Sequence, residues 1–205
     1  MGEIPRMGIF GPSKDQVWRQ LSEEIGGEFV EGRFWSGNRV QAHVAPWTIT
    51  LDTFTVSTGH SHITYTRMRA PYVNPEGLRF TLYRKGLFSE LGKLLGMQDI
   101  EVGDPEFDEA FIVKGTDEFK VRELFADPQI QRLALAQPTI RLSVKDDEGW
   151  FGPHFPKGVD ELHFQVVGVI KDLKQLKGLF DLLAVILDRL CQIGSGRKEE
   201  PGVTL

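Results

Sequence analysis

The chain has 205 residues, of which 40% are hydrophobic and 26% charged, and its formal net charge is −5. That balance is ordinary for a globular protein with a sizeable core, and the acidic excess argues against a general nucleic-acid binder, which would carry a basic surface. The longest apolar stretch, residues 179–190, is broken by Asp181, Asp188 and Arg189 and is too short to span a bilayer. No apolar leader run opens the chain, and the one cysteine, Cys191, has no internal partner. The expectation is a cytoplasmic protein with no transmembrane segment.

In chain order, the first predicted helix covers Ser13 to Ile25. Ser13 caps it, Gln16 stands three residues on in capping-box position, and Gly26-Gly27 stops it. Val17, Trp18, Leu21 and Ile25 form its apolar stripe. Strand patterns follow at Glu28–Glu31, Arg39–Val44 and Trp47–Val56. In the last of these the apolar alternation slips by one residue at Asp52-Thr53, which predicts a bulge. Residues 57–60 read as a turn and His62–Arg69 as its hairpin partner. Pro71 to Gly77 reads as another turn, from which Leu78–Tyr83 pairs back, to give an antiparallel meander.

A short helix is expected over Gly86–Leu95, a strand over Phe107–Lys114, and helices over Thr116–Phe125 and Pro128–Leu135. Strands over Thr139–Lys145 and Glu161–Ile170 flank a loop holding Gly149-Trp150-Phe151-Gly152-Pro153-His154. From Asp172 to Ile193 apolar residues recur at steps of three and four, and Leu179, Leu182 and Ile186 widen the stripe beyond a coiled-coil seam. The fold class is therefore α+β: an antiparallel meander with an N-terminal helix, short intervening helices and a long C-terminal helix packed on the sheet. One domain over 1–194 is expected, with a seam near 96–105 dividing 1–96 from 97–194, and a disordered tail over 195–205.

Signatures of catalysis are missing from the text. It holds no P-loop, no glycine-rich dinucleotide fingerprint, no Gly-x-Ser-x-Gly elbow and no His-Glu-x-x-His, and no cofactor is expected. Arg67 and Arg69 share one strand face, and a hairpin turning near Asn74 would bring Arg79 and Tyr83 to the same side. Such guanidiniums grip carboxylate or phosphate, an anionic small molecule or a lipid headgroup, although a solvated face paired with neighbouring acids is the plainer account. Trp150 heads an aromatic loop able to cover a ligand. His60 and His62 alternate on one strand, with Asp52 across the hairpin as a third metal ligand; imidazoles facing water from a turn are the plainer account. Asp99 to Glu109 holds six carboxylates in eleven residues, read as a solvated turn before the Phe107 strand.

The run Gly103-Asp104-Pro105-Glu106-Phe107-Asp108-Glu109-Ala110-Phe111-Ile112-Val113 resembles a family of bacterial conserved hypothetical proteins, a domain of unknown function with a GDPxFDxxFxV motif. In that family the motif strand leads to a helix, paired strands and a final long helix, a pattern matched over residues 60–193. The resemblance implies no activity and no catalytic residue. The leading expectation is thus a non-enzymatic ligand-binding or interaction domain for an anionic group. The alternatives are a metal-assisted hydrolase or transferase using His60 and His62, and an oligomeric scaffold, a homo-oligomer joined through the Leu173–Leu190 helix.

Overall fold

The computed structural model describes residues 11–32, 37–86, 98–146, 155–203 and 205. The helix expected over Gly86–Leu95, the loop Gly149–His154 and its Trp150 lie outside the described residues, apart from Gly86, which stands in the turn after a strand.

Helix α1 spans Lys14–Ile25, and both hydrogen bonds of the Ser13–Gln16 capping box form. Its C-terminal stop is Gly26 at φ 66°, a left-handed conformation that glycine adopts without Cβ strain. Strands β1 (Glu28–Val30), β2 (Arg39–Val44), β3 (Trp47–Thr58) and β4 (Ser61–Val73) follow as the expected meander. After β5 (Phe80–Arg84) and β6 (Gln98–Asp99) come α2 (Pro105–Ala110), β7 (Phe111–Gly115), α3 (Glu118–Phe125), α4 (Pro128–Leu135), β8 (Arg141–Lys145), β9 (Val159–Val167) and α5 (Leu173–Gln192). Among the described residues all pairings are antiparallel, in one nine-stranded sheet of order β1-β2-β3-β4-β9-β8-β5-β7-β6. The sheet runs without a break across the two expected halves.

The helices pack on one face. Ile49 and Leu51 of β3, Met68 and Ala70 of β4, Leu162 and Phe164 of β9, and Leu82 of β5 join Trp18, Leu124 and Phe125 in one core. Helix α5 buries Leu176, Leu179, Phe180, Leu182, Leu183, Ile186, Leu187 and Leu190 there, each contributing about 2 kcal/mol of apolar burial. The stripe that a Leu173–Leu190 helix pairing would use is thus buried within a single chain, with Leu173 itself half-buried against the core.

Four expectations differ from the structure. Asp52-Thr53 carries no bulge, because Thr50 to Thr58 pair one-to-one with Arg69 to Ser61. The phase slip instead moves the apolar side chains to the other face, where Phe54 stacks on Tyr65 at 5.1 Å. β5 does not pair with β4. Asn74 donates to the Leu78 carbonyl and accepts from its N–H, which holds a connection that carries the chain away and leaves the β4 edge to β9. Residues 107–110 are helical, with Asp104 as N-cap and Pro105 in the first turn, so the strand begins only at Phe111. After Gly194, Ser195 is fully buried and the Arg197 N–H donates to the Val73 carbonyl at 3.1 Å, so the segment expected to be disordered starts fastened to the sheet.

Candidate functional site

Strand alternation places Asp52, Arg67, Arg69, Glu161, His163 and Gln165 on the face away from the core. Cross-strand register then sets them side by side: Asp52 opposite Arg67, Arg67 opposite Gln165, Arg69 opposite His163. The Asp52 carboxylate accepts from Arg67 Nε and Nη2, both at 2.8 Å, and from Arg69 Nη2 at 2.5 Å. Charge-assisted bonds in this fork geometry are the strong ones. Arg69 is buried, while Arg67 keeps part of its side chain exposed and lies 4.9 Å over the Phe54 ring.

Glu161 is fully buried, and its carboxylate accepts from His163 Nδ1 at 2.6 Å. A neutral imidazole supplies that proton as Nδ1–H, so the short contact does not require an imidazolium. Burial first, then the charges of Lys145, Arg67 and Arg69, push His163 down to about 3, against the hydrogen bond that a protonated Nε2 would donate to Gln165 Oε1. Nε2 stands 3.3 Å from Gln165 Oε1, an acceptor to which only a ring protonated at Nε2 can donate. In the neutral Nδ1–H ring the bond to Glu161 is therefore what orients the imidazole.

The remaining predicted residues do not join this layer as drawn. Arg79 pairs with Asp160 at 3.1 Å and Asp146 at 3.4 Å. It belongs beside β5, three strands from β4, about 14 Å away at the usual strand spacing. Tyr83 is on the outer face opposite Arg141 and Ile112 and is buried. His60 sits in the β3–β4 turn and His62 opposite Ser57, both exposed. Asp52 is five positions down the hairpin from Ser57, about 17 Å, and cannot complete a metal set with them. Among the described residues no group of three His, Cys, Asp or Glu is placed to hold a metal ion.

The six-carboxylate stretch has structural work. Asp108 accepts from the Val102 and Gly103 N–H groups, each at 2.8 Å, Asp104 caps α2, and Asp99 pairs with Lys114. Two open clefts lie elsewhere. One of about 430 Å³ is bordered by Asp99, Glu101 and Arg122, the other of about 740 Å³ by Leu133, Pro138 and Leu173. Neither reaches Asp52 or His163.

Sequence reasoning missed Asp52 as the clamp and the Glu161–His163 pair. The alternation Glu161, His163, Gln165 within an apolar strand was the available signal. It also passed over the exposed apolar end of the same face. There Val56 is 40% exposed, opposite Ile63 at 37%, and Val167 is 65% exposed, opposite Tyr65.

These features define an α+β protein with helices on one face of a nine-stranded antiparallel sheet and a polar layer on the other. A scan of family models finds no match, and a search of curated proteins finds none either. Among solved structures, the chain is similar to the mycobacterial trehalose monomycolate transport factor A, TtfA, at a TM-score of 0.53 and 10% sequence identity, covering 93% of this chain and 98% of that one. At that identity the likeness shows a shared fold. No helix among the described residues is long and apolar enough to cross a membrane.

Proposed function

We propose that the chain is a non-catalytic binding domain that takes an anionic amphiphile on the outer face of its sheet, with the anionic head at Arg67 and Arg69 and the apolar part along the β3–β4 arm. The observation that carries this reading is the continuity of two surfaces. Arg67 lies over Phe54 with its guanidinium on Asp52, and beyond Phe54 the same face is apolar and exposed out to Val56 and Ile63. A guanidinium fork matches the oxygens of a carboxylate or phosphate. Asp52 already fills that fork, so an incoming head exchanges with a carboxylate and the affinity comes mainly from the apolar part. The fold likeness to a trehalose monomycolate transport factor is in keeping with handling an amphiphile without chemistry on it.

Titration calorimetry with dodecyl phosphate, dodecyl maltoside and inorganic phosphate tests the assignment. Dodecyl phosphate is expected to bind about tenfold tighter than the maltoside, the worth of one charge-assisted bond, and inorganic phosphate to bind too weakly to register. Arg67→Lys keeps the charge but removes the fork, and is expected to abolish that preference. Equal affinities for the two amphiphiles, or an unchanged preference in Arg67→Lys and in Arg67→Ala/Arg69→Ala, would overturn the reading.

A further inference from the structure

The β3–β4 arm continues past the rest of the sheet. β2 reaches only as far as Leu51, and β9 ends at Val167, opposite Tyr65. Residues 53–66 contain no Asp, Glu, Lys or Arg, so the arm is free of fixed charge in a protein that is otherwise a quarter charged. Its outer face shows Val56 and Ile63 as a cross-strand pair, and Val167 continues the row beside Tyr65. The chain leaving β9 stays at this end. The Gly168 N–H donates to the Thr64 carbonyl at 2.8 Å and the Ile170 N–H to Thr66 Oγ1 at 2.9 Å. Val169, at 38% exposed, therefore sits against the arm. Four of the five large hydrophobic side chains exposed among the described residues gather here; the fifth, Phe119, is on α3. Scattered exposed apolar residues need no explanation, but a contiguous group does.

Lysines outnumber acids two to one over residues 171–174. Lys171 follows Ile170 directly and Lys174 lies in the first turn of α5, both exposed. The acid between them, Asp172, has its carboxylate turned to the Gln175 N–H as the α5 N-cap. Apolar side chains flanked by lysines suit a bilayer interface, where the former enter the acyl boundary and the latter meet anionic headgroups. We infer that this end of the sheet, formed by Val56, Ile63, Val167 and Val169 with Lys171 and Lys174, docks onto an anionic lipid bilayer surface. The inference deepens the binding role proposed above by naming the surface from which an amphiphile would be taken, and it rests on that reading for its purpose, not for its geometry.

Co-sedimentation with vesicles of phosphatidylcholine alone, and of phosphatidylcholine with one part in three phosphatidylglycerol, tests it directly. Wild type is expected to pellet with the anionic vesicles and to be released by salt. Lys171→Ala/Lys174→Ala should weaken partitioning by about 30-fold, at about one factor of five to six per lysine near the surface. Val56→Asp/Val167→Asp should abolish it. All four positions are exposed, so circular dichroism is expected to show these variants folded. No binding by wild type, or unchanged binding by the valine pair, overturns the inference. So does a wild-type dimer in solution that the valine pair converts to monomer, since the patch would then be covered by a second copy. Failure here leaves the calorimetric titration of dodecyl phosphate untouched, so the two readings fall separately.

Discussion

His163 is neutral in the fold because burial and three neighbouring cations, Lys145, Arg67 and Arg69, oppose a proton on its ring. The unfolded chain takes that proton near pH 6.5 and the folded one only near pH 3. Between those values the unfolded state binds more protons, so stability is complete above pH 6.5 and declines on acidification, by up to about 1.4 kcal/mol per pH unit. Asp160 acts with the opposite sign: burial chiefly holds its carboxyl above the usual range, and protonation in acid relieves it. The His163 contribution is therefore the difference between wild type and His163→Gln. Urea unfolding at pH 7 and pH 5 should show a smaller acid loss in the variant. Parallel losses in the two proteins would mean that His163 accepts a proton without leaving its place. None of this was legible in the sequence, since five histidines in a chain give no indication of which one is buried, although the alternation Glu161, His163, Gln165 set three polar side chains on one strand face.

At the level of single elements, the GDPxFDxxFxV run shows how a correct signal was outweighed. Phe107, Phe111 and Val113 fit alternation, yet Asp104-Pro105 is a helix start, and Phe107 to Phe111 is also one helical turn. The carboxylate of Asp108 then gathers the Val102 and Gly103 N–H groups, with Gly103 at φ 99° where a Cβ would be strained. Asp108→Ala is expected to cost about 2 kcal/mol, because two backbone donors lose a charged acceptor, one of them partly buried; the midpoint of a urea titration reads this. Asp108→Asn keeps one acceptor oxygen and should recover about half. An unchanged midpoint in Asp108→Ala would show that water replaces the carboxylate at no cost. Helix α5 and the Ser13 cap of α1 were readable outright, because a wide apolar stripe and a capping box are local patterns. The slip at Asp52 was visible too, but an apolar pair on the second face produces the same text as a bulge.

For the molecule as a whole, composition and periodicity were enough for an α+β sheet with a long terminal helix. The strand order was not. β9 enters between β4 and β8, a pairing of residues 65–73 with 159–167 that no spacing in the sequence records, and the clamp of Arg69 beside His163 exists only because of it. It also makes the halves interdependent. Residues 1–96 contain β4 with an open hydrogen-bonding edge, and residues 97–205 contain the β8–β9 pair without β5 and β4 on either side of it. Expressed singly, both pieces are expected to aggregate, since a long unpaired edge templates association; co-expressed, they should assemble into a soluble complex. A soluble, cooperatively melting 1–96 fragment would show that β4 does not need β9.

The central strand of this sheet, β9, is made long after the strand it pairs with. During synthesis β4 emerges first and waits, with its edge unsatisfied, while more than eighty further residues are added before its partner appears. A nascent chain in that condition is vulnerable for the whole interval. Slow decoding between codons 74 and 158 would lengthen it, so production of this protein should depend on holdase chaperones at the ribosome more than its finished stability suggests.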